Sequence, residues 1–489
     1  MTAAPRRLSE LLARSLDNDP MITSVTSDSR KVGPGSLFAA LPGATVDGRT
    51  FIPAALEKGA AAVLVEQDTP EGGAVPLVRS HDVRRAFALA AGNFWGAQPP
   101  VVVAVTGTNG KTSVATFCRQ IFTHLGRKAA SLGTLGLQLA DENLTGPGLT
   151  TPDAEAVARM AADLTARGVT HLALEASSHG LDQRRIDSLK LTAAGFTNLT
   201  QDHLDYHHTM DEYRDAKLRL FRSLLPTGAT AVLNADSPEY AAFVATAYLH
   251  GQTIMSVGET GHGLYLADRR PEPYGQELTL RWRGRGYSVR LPLAGAFQAS
   301  NALIAAGLCI AAGEVPEAVI AALAHLEGAP GRLQRVGRSA TGGEAYVDYA
   351  HTPDGLETVL RAVRPHARGR VLVVFGAGGD RDNTKRPLMG RAAAELADLA
   401  IVTDDNPRSE DPAAIRAMVM KGCPKALEVG DRRAAIRAAV EQLKSGDILI
   451  VAGKGHEQGQ TIAGVVHPFD DVQETAAALI ARGGGLGHV

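Results

Sequence analysis

VVVAVTGTNGKTS, Val101 to Ser113, is the stretch whose reading decides the fold. Val101 to Val105 is an apolar, mostly β-branched run, the kind that packs on the pleated surface of a buried strand. It feeds directly into a glycine-bracketed turn. Gly107 and Gly110 let backbone N–H groups turn inward onto phosphate oxygens, Lys111 offers a point charge, and Thr112 offers a hydroxyl for Mg²⁺. Beyond it Val114, Phe117, Cys118, Ile121, Phe122 and Leu125 recur at helical spacing. The turn therefore lies between a strand and a helix N-terminus, the context that a phosphate-binding loop needs. Ala104 and Val105 stand where other such loops carry glycine.

Around this loop the chain has 489 residues, enough for three domains at ~150 residues each. A net charge of -2, with 45% hydrophobic and 21% charged residues, describes an ordinary globular protein. It argues against nucleic acid as the main partner. Cys118, Cys309 and Cys423 are spaced for neither a disulfide framework nor a zinc site, and read as small buried hydrophobes in a reducing compartment. The N-terminus lacks the apolar core of a signal peptide, and no later run approaches the ~20 apolar residues that cross a bilayer. A cytoplasmic protein with no membrane span is expected.

Two turn-rich breaks divide the chain, Trp95-Gly-Ala-Gln-Pro-Pro100 and Gly328-Ala-Pro-Gly331, the second following a helical run from about Gln298 to Leu326. The expected domains are 1–98, 99–329 and 330–489. The fold class is α/β, with a central P-loop-type mononucleotide-binding domain and a C-terminal doubly wound, Rossmann-like domain. In the last, Arg370 to Phe375 runs into GAGGDRD, Leu399 to Thr403 into DDNPR, and Ile448 to Ala452 into GKGHE. Ligands of open parallel sheets bind outside the carboxyl ends of the strands, so the three turns are expected at one crevice.

Several constellations could carry chemistry. His171 to Leu174 reads as a buried strand ending in Glu175, a candidate Mg²⁺ ligand or else a cap. Phe196 to His208 is dense in possible ligands, and its carboxylates beside a phosphate loop suit Mg²⁺ better than zinc; the competing reading is a solvated helix start capped by Asp202. Lys217 reads, on sequence physics, as a surface helix lysine. His351 ends a β-like stretch and is as often structural as functional, and Arg332 is placed on a hinge or is a plain surface arginine. Asp405-Asn406-Pro407-Arg408 could grip a zwitterion, the arginine taking a carboxylate and Asp and Asn accepting from an ammonium, or could be an Asn-Pro turn with incidental charges.

Taken together, SDSR, GTNGKTS, TTPD, EASSHG, FTNLTQDHLDYH, DAKLRLF, GAFQASNALIA, GRLQ, VDYAHTPD, GGDRDNTKRPLMG, DDNPR and GKGHE resemble the Mur ligase family along nearly the whole chain. The resemblance implies ATP-dependent addition of an amino acid to UDP-N-acetylmuramoyl-L-alanyl-D-glutamate, in cytoplasmic peptidoglycan precursor synthesis. The DNPR version resembles members that add meso-diaminopimelate; L-lysine-adding members carry other residues there. It further implies that Ser27, Ser29 and the Ala44-Thr45-Val46 loop bind the uridine nucleotide. Thr150, Thr151, Ser177, Gln183 and Arg185 would grip the muramoyl dipeptide. Gly107, Thr108, Asn109, Gly110, Lys111, Thr112 and Ser113 would hold ATP, with Asn301, Arg332 and His351 as further contacts. Thr112, Glu175, His203 and a carbamylated Lys217 would hold two Mg²⁺ ions. Arg381, Asp405, Asn406, Pro407, Arg408, Gly453 and Glu457 would take diaminopimelate. Lys111, Lys217, Arg332 and His351 would carry the catalysis, in a monomer. The alternatives are the same ligation with L-lysine, a P-loop kinase or ATPase, and a nucleotide-dependent binding module.

Overall fold

The computed structural model describes residues 3–43, 46–70, 75–140, 142–144, 146 and 148–487. The chain divides into two compact units, residues 1–265 with 303–319, and residues 266–302 with 320–489.

The first unit opens with a small antiparallel pair, β1 (Arg6–Arg7) and β2 (Met21–Ile22). A four-stranded parallel sheet follows, in the order β3 (Ser24–Thr26), β4 (Ser36–Ala39), β5 (Ala62–Glu66) and β6 (Leu77–Ser80). Its core is Leu37, Ala39, Leu64 and Phe87 with their neighbours. The larger sheet of this unit contains β7 (Val101–Thr106), β8 (Ala129–Gly133), β9 (Gly136–Gln138), β10 (His171–Glu175), β11 (Ala193–Phe196), β12 (Thr230–Asn234) and β13 (Thr253–Gly258). They lie in the order β13-β12-β11-β7-β10-β8-β9, parallel except for the β8–β9 hairpin. β7 is central, which explains why Val101 to Val105 reads as an unbroken apolar run: both faces of a parallel strand are covered.

The polypeptide continues through β14 (Leu264–Glu272) into the second unit, where β15 (Gly275–Trp282) and β16 (Arg285–Leu291) pair antiparallel. The expected single helical run over Gln298 to Leu326 is instead two helices, Ala296–Ala311 and Pro316–Ala322, followed by a 3₁₀ turn. Gly313 (φ 100°) takes the left-handed cap that stops the first, and Pro316 starts the second.

The main sheet of the second unit comprises β17 (Gln334–Arg338), β18 (Glu344–Asp348), β19 (Val371–Phe375), β20 (Leu399–Val402), β21 (Leu427–Glu428), β22 (Ile448–Ala452) and β25 (Gly485–Leu486), in the order β21-β20-β19-β22-β18-β17-β25. Its five strands from β21 to β18 are parallel. Val371, Val373 and Phe375 pack on one face and Leu372 and Val374 on the other. Helices thus cover both faces, as the doubly wound expectation requires. A separate hairpin, β23 (Gly459–Ile462) with β24 (Val465–Pro468), follows β22. Cys118, Cys309 and Cys423 are free and buried. Among the described residues no helix is long and apolar enough to cross a membrane.

Candidate active site

In the first unit, β7 delivers the chain to Gly107 (φ 147°) and Gly110 (φ 87°), and the helix Lys111–His124 begins at once. A Cβ on Gly107 would fall 1.8 Å from Thr197 Oγ1, so only glycine fits. Lys111 Nζ folds back onto the carbonyls of Gly107 (2.9 Å) and Thr108 (2.8 Å). Ser113 is buried in the first turn. The loop is braced from the end of β11: Asn198 Oδ1 accepts from Asn109 N–H (3.0 Å), and Thr197 Oγ1 donates to Asn109 O (2.6 Å). Thr108 Oγ1 lies 3.2 Å from Tyr213 O–H and accepts from Thr200 N–H.

Glu175, at the end of β10, is buried and accepts from Thr112 Oγ1 (3.0 Å) and Thr134 N–H (2.8 Å). The two expected metal ligands Thr112 and Glu175 therefore touch, and their hard oxygen donors suit Mg²⁺. His203 takes a left-handed backbone (φ 52°) ahead of a short helix, its ring 5.0 Å from that of His179. The competing cap reading of Asp202 is not what is seen: the cap position of that helix belongs to His203, while Asp202 accepts from the adjoining His203 N–H (2.9 Å) and lies 3.5 Å from the His203 ring Nε2. Among the described residues no group of three or more His, Cys, Asp and Glu converges as a metal cluster.

Lys217 overturns its surface reading. It is 1% exposed, donates from Nζ to Gly107 O (2.7 Å) and lies 4.3 Å above the Tyr213 ring. Burial, and then the charge of Lys111, push its ammonium well below its ordinary range.

The expected muramoyl grip is brought together. Thr151 Oγ1 donates to Glu175 O (2.9 Å) and sits 3.0 Å from Ser177 Oγ, which caps the helix Ser178–Asp182. Arg185 donates to Thr151 O (2.6 Å) and to Gln183 Oε1 (2.7 Å), and Thr150 Oγ1 is 3.0 Å from Thr134 Oγ1. In the four-stranded sheet, Ser27 and Ser29 follow β3 in a turn tied by the Asp28–Arg30 ion pair (2.9 Å), which holds the Asp28 carboxyl down at about 2. Val46 is exposed; Ala44 and Thr45 lie outside the described residues.

In the second unit the three expected turns do meet. Asn406 Nδ2 donates to Glu457 Oε2 (2.9 Å), joining the turn after β20 to that after β22, and Arg408 donates to Gly379 O (2.6 Å) in the turn after β19. Gly453 takes a backbone conformation (φ 123°) that favours glycine, and a Cβ there would crowd Asp405 Oδ2 at 3.1 Å. Asp405 is buried, and among the described residues its Oδ1 makes no hydrogen bond, though Lys454 Nζ lies 3.4 Å from it. Pro407 is buried in the turn, and Arg381 is exposed. Just past the end of β18, the Tyr349 ring lies beneath Arg332 (4.6 Å), with His351 and His456 at 4.6 and 5.1 Å from it. Burial, and then the Arg332 charge, lower the His456 imidazole to about 4. Asn301 donates to Gln298 Oε1 (3.3 Å), and Gln298 to Arg332 O (3.1 Å).

Thr134, Thr197, Tyr213, Tyr349 and Lys454 were not singled out by sequence. Tyr213 stands four residues before Lys217, one helical turn away, and that spacing was a usable signal.

The first unit thus carries a phosphate loop, and the second a cluster of carboxylate, amide and guanidinium groups at strand ends, the two kinds of binding element that an ATP-consuming ligase uses. Residues 105–309 match the Mur ligase middle domain, 331–455 the Mur ligase glutamate ligase domain, and 21–93 the Mur ligase family catalytic domain. A Caulobacter vibrioides protein named UDP-N-acetylmuramoyl-L-alanyl-D-glutamate--2,6-diaminopimelate ligase is 65% identical over 97% of this chain and 99% of its own length. One of the same name from Bradyrhizobium diazoefficiens is 52% identical over 94% and 95%. A solved structure of a ligase of that name superposes with a TM-score of 0.76 at 35% identity, covering 99% of this chain and 100% of that one. The chain belongs to the Mur ligase family.

Proposed function

We propose that this chain uses ATP to join an amine of 2,6-diaminopimelate, as the meso isomer, to the D-glutamate carboxylate of UDP-N-acetylmuramoyl-L-alanyl-D-glutamate. The observation that carries the reading is the 65% identity, over nearly the whole of both chains, to a ligase of that name. The carboxylate attacks the γ-phosphorus and ADP leaves. The amine then attacks the acyl phosphate and inorganic phosphate leaves. Both first reactants are anionic, so the chemistry is largely positioning and charge compensation.

Lys111 and Arg332 are the cations for the phosphates, with Gly107 to Ser113, Asn301 and His351 holding ATP. Thr150, Thr151, Ser177, Gln183 and Arg185 hold the dipeptide, and Ser27, Ser29 and residues 44–46 the uridine end. Arg408 and Arg381 face the carboxylate of the far end of diaminopimelate, and Asp405, Asn406 and Glu457 its ammonium, with Gly453 leaving room for them. Two Mg²⁺ ions, held through Thr112, Glu175, His203 and a carbamylated Lys217, would neutralise phosphate charge when bound. Lys217 suits that modification: a buried amine with a depressed pKa is available in its neutral form to add to CO₂. An N–C bond forms, one proton is released, and a cation that would repel metal becomes an anionic oxygen ligand. The working assignment is a cytoplasmic monomer of three domains, residues 1–98 for the uridine nucleotide, 99–329 for ATP and 330–489 for the amino acid.

The test is release of inorganic phosphate from ATP by the purified protein with the UDP-muramoyl dipeptide. Release is expected to depend on meso-diaminopimelate and to be scarce with L-lysine. Equal rates with the two amino acids would refute the side-chain assignment, and a phosphorylated product that accumulates with no need of an amino acid would identify a kinase.

A further inference from the structure

Two polar side chains beside the Asp405–Arg408 turn have no part in the chemistry above, yet are buried against it. Lys454 has a side chain 0% exposed. Its Nζ donates to Asn406 Oδ1 (3.0 Å) and Gly459 O (2.7 Å), and lies 3.4 Å from Asp405 Oδ1 and 3.9 Å from Glu457 Oε2. Gln460, on β23, is also buried and donates from Nε2 to Asp405 O (2.7 Å). The same strand clamps the rest of the turn. Thr461 N–H donates to Asn406 Oδ1 (2.9 Å), Arg408 N–H to Thr461 O (2.9 Å) and Ala463 N–H to Arg408 O (2.6 Å). Arg408 needs such a clamp, because its backbone is left-handed (φ 52°), and a non-glycine residue stays there only when its surroundings over-determine it.

A buried lysine could simply balance buried charge, and a comparison within the same unit separates the two cases. Arg432 and Asp471, both side chains 0% exposed, form a closed two-pronged pair (2.8 and 2.7 Å), each the other's main partner. Lys454 is shared instead among Asp405, Asn406 and Glu457, three residues assigned to the amino-acid substrate, and Asp405 Oδ1, 3.4 Å from Lys454 Nζ, makes no hydrogen bond among the described residues. A group that spaces three acceptors while leaving one of them unsatisfied is setting a binding geometry rather than closing a pair.

We propose that Lys454 and Gln460 are positioning residues for the amino-acid substrate, holding Asp405, Asn406, Glu457 and the Arg408 backbone in the arrangement that takes the zwitterionic end of diaminopimelate. This rests on the ligase reading. Neither residue touches the substrate; each acts through the turn. The consequence is a selectivity effect. Diaminopimelate has both a carboxylate and an ammonium at its far end, whereas L-lysine has the ammonium alone and cannot use the arginine grip that the clamp aligns.

The test is steady-state kinetics on the full-length protein and its Lys454→Met and Gln460→Ala variants, with meso-diaminopimelate and L-lysine measured in parallel and melting temperatures recorded. In Lys454→Met kcat/KM for diaminopimelate is expected to fall about 10- to 100-fold, the range for losing a hydrogen bond to a charged group, and in Gln460→Ala about tenfold, the range for losing a neutral buried one. The fall should come through KM and exceed by about tenfold any fall for L-lysine, which shares the ammonium acceptors but not the arginine grip, while KM for ATP stays within about threefold. Parallel losses for diaminopimelate, L-lysine and ATP would show a merely structural role and overturn the proposal, as would unchanged selectivity. Should Lys454→Met fail to fold, Gln460→Ala decides alone. A wild type whose phosphate release ignores diaminopimelate overturns the ligase reading and this one with it; a responsive wild type with fully selective variants overturns this one only.

Discussion

Lys217 shows what a residue's type and spacing do and do not reveal. In Asp215-Ala216-Lys217-Leu218 nothing marks it as other than a solvated helix lysine, and only the family resemblance singled it out. The fold buries it against Gly107 O and the Tyr213 ring, beside the charge of Lys111. A permanent cation there is costly, and a carbamate converts the cost into a metal-binding group. Lys217→Ala should lower kcat at least about 100-fold, the scale of a lost charge-stabilising group, and short carboxylic acids such as formate or acetate should restore part of it. Full activity in the variant, or loss with no rescue at any carboxylate concentration, would remove the carbamate from the mechanism. The rest of the site divides on the same line. The roles of Lys111 and Thr112 follow from their own motif and were legible. Thr134, Thr197 and Tyr349 act on Glu175, Asn109 and His456, residues far away in sequence, which no local pattern encodes.

At the level of elements, the strand–loop–helix unit was the most legible part of the molecule, because a central parallel strand is covered on both faces and reads as an unbroken apolar run. The turns after β19, β20 and β22 were legible for the same reason, each ending such a run. The helical stretch near residues 298–326 was misjudged because its apolar spacing continues across Gly313 and Pro316, where backbone conformation rather than periodicity ends the first helix. The bracing of the phosphate loop was not visible either. Asn198 was read as one of several possible ligands, whereas its Oδ1 accepts from Asn109 N–H (3.0 Å) and so fixes the loop from the neighbouring strand β11. Asn198→Ala should therefore raise KM for ATP about threefold, the equivalent of roughly 0.7 kcal/mol for one lost solvent-exposed bond, and leave KM for diaminopimelate unchanged. Isothermal titration with a non-hydrolysable ATP analogue reads the first effect directly; unchanged ATP affinity would show that the loop holds its shape without the strand.

For the whole molecule the histidines set how stability responds to acid. His171, His179 and His207 in the first unit, and His366 and His456 in the second, all have imidazoles lowered mainly by burial. His366 is the most fully wired, Nε2 accepting from Gly295 N–H (2.9 Å) while Nδ1 bonds to Glu272 O (2.7 Å), an arrangement that only the neutral ring satisfies. A histidine whose pKa is lower folded than unfolded binds fewer protons in the native state. Its contribution is therefore present above the unfolded value near 6.5 and is lost as pH falls toward the folded one. For His456 that window runs from about 6.5 down to about 4. Carboxylates held by arginines act lower: Asp28, brought down to about 2, stays ionised throughout and takes no part in the loss. The melting temperature should then fall by at least about 4 °C between pH 7.5 and pH 5, on the scale at which ~1 kcal/mol moves a chain of several hundred residues by a few degrees. His366→Gln should make the fall shallower, since glutamine cannot take up the proton that opens the Gly295 bond. A melting temperature that is flat or rises over that interval would show that these rings are hydrated in solution and titrate alike in the folded and unfolded chain.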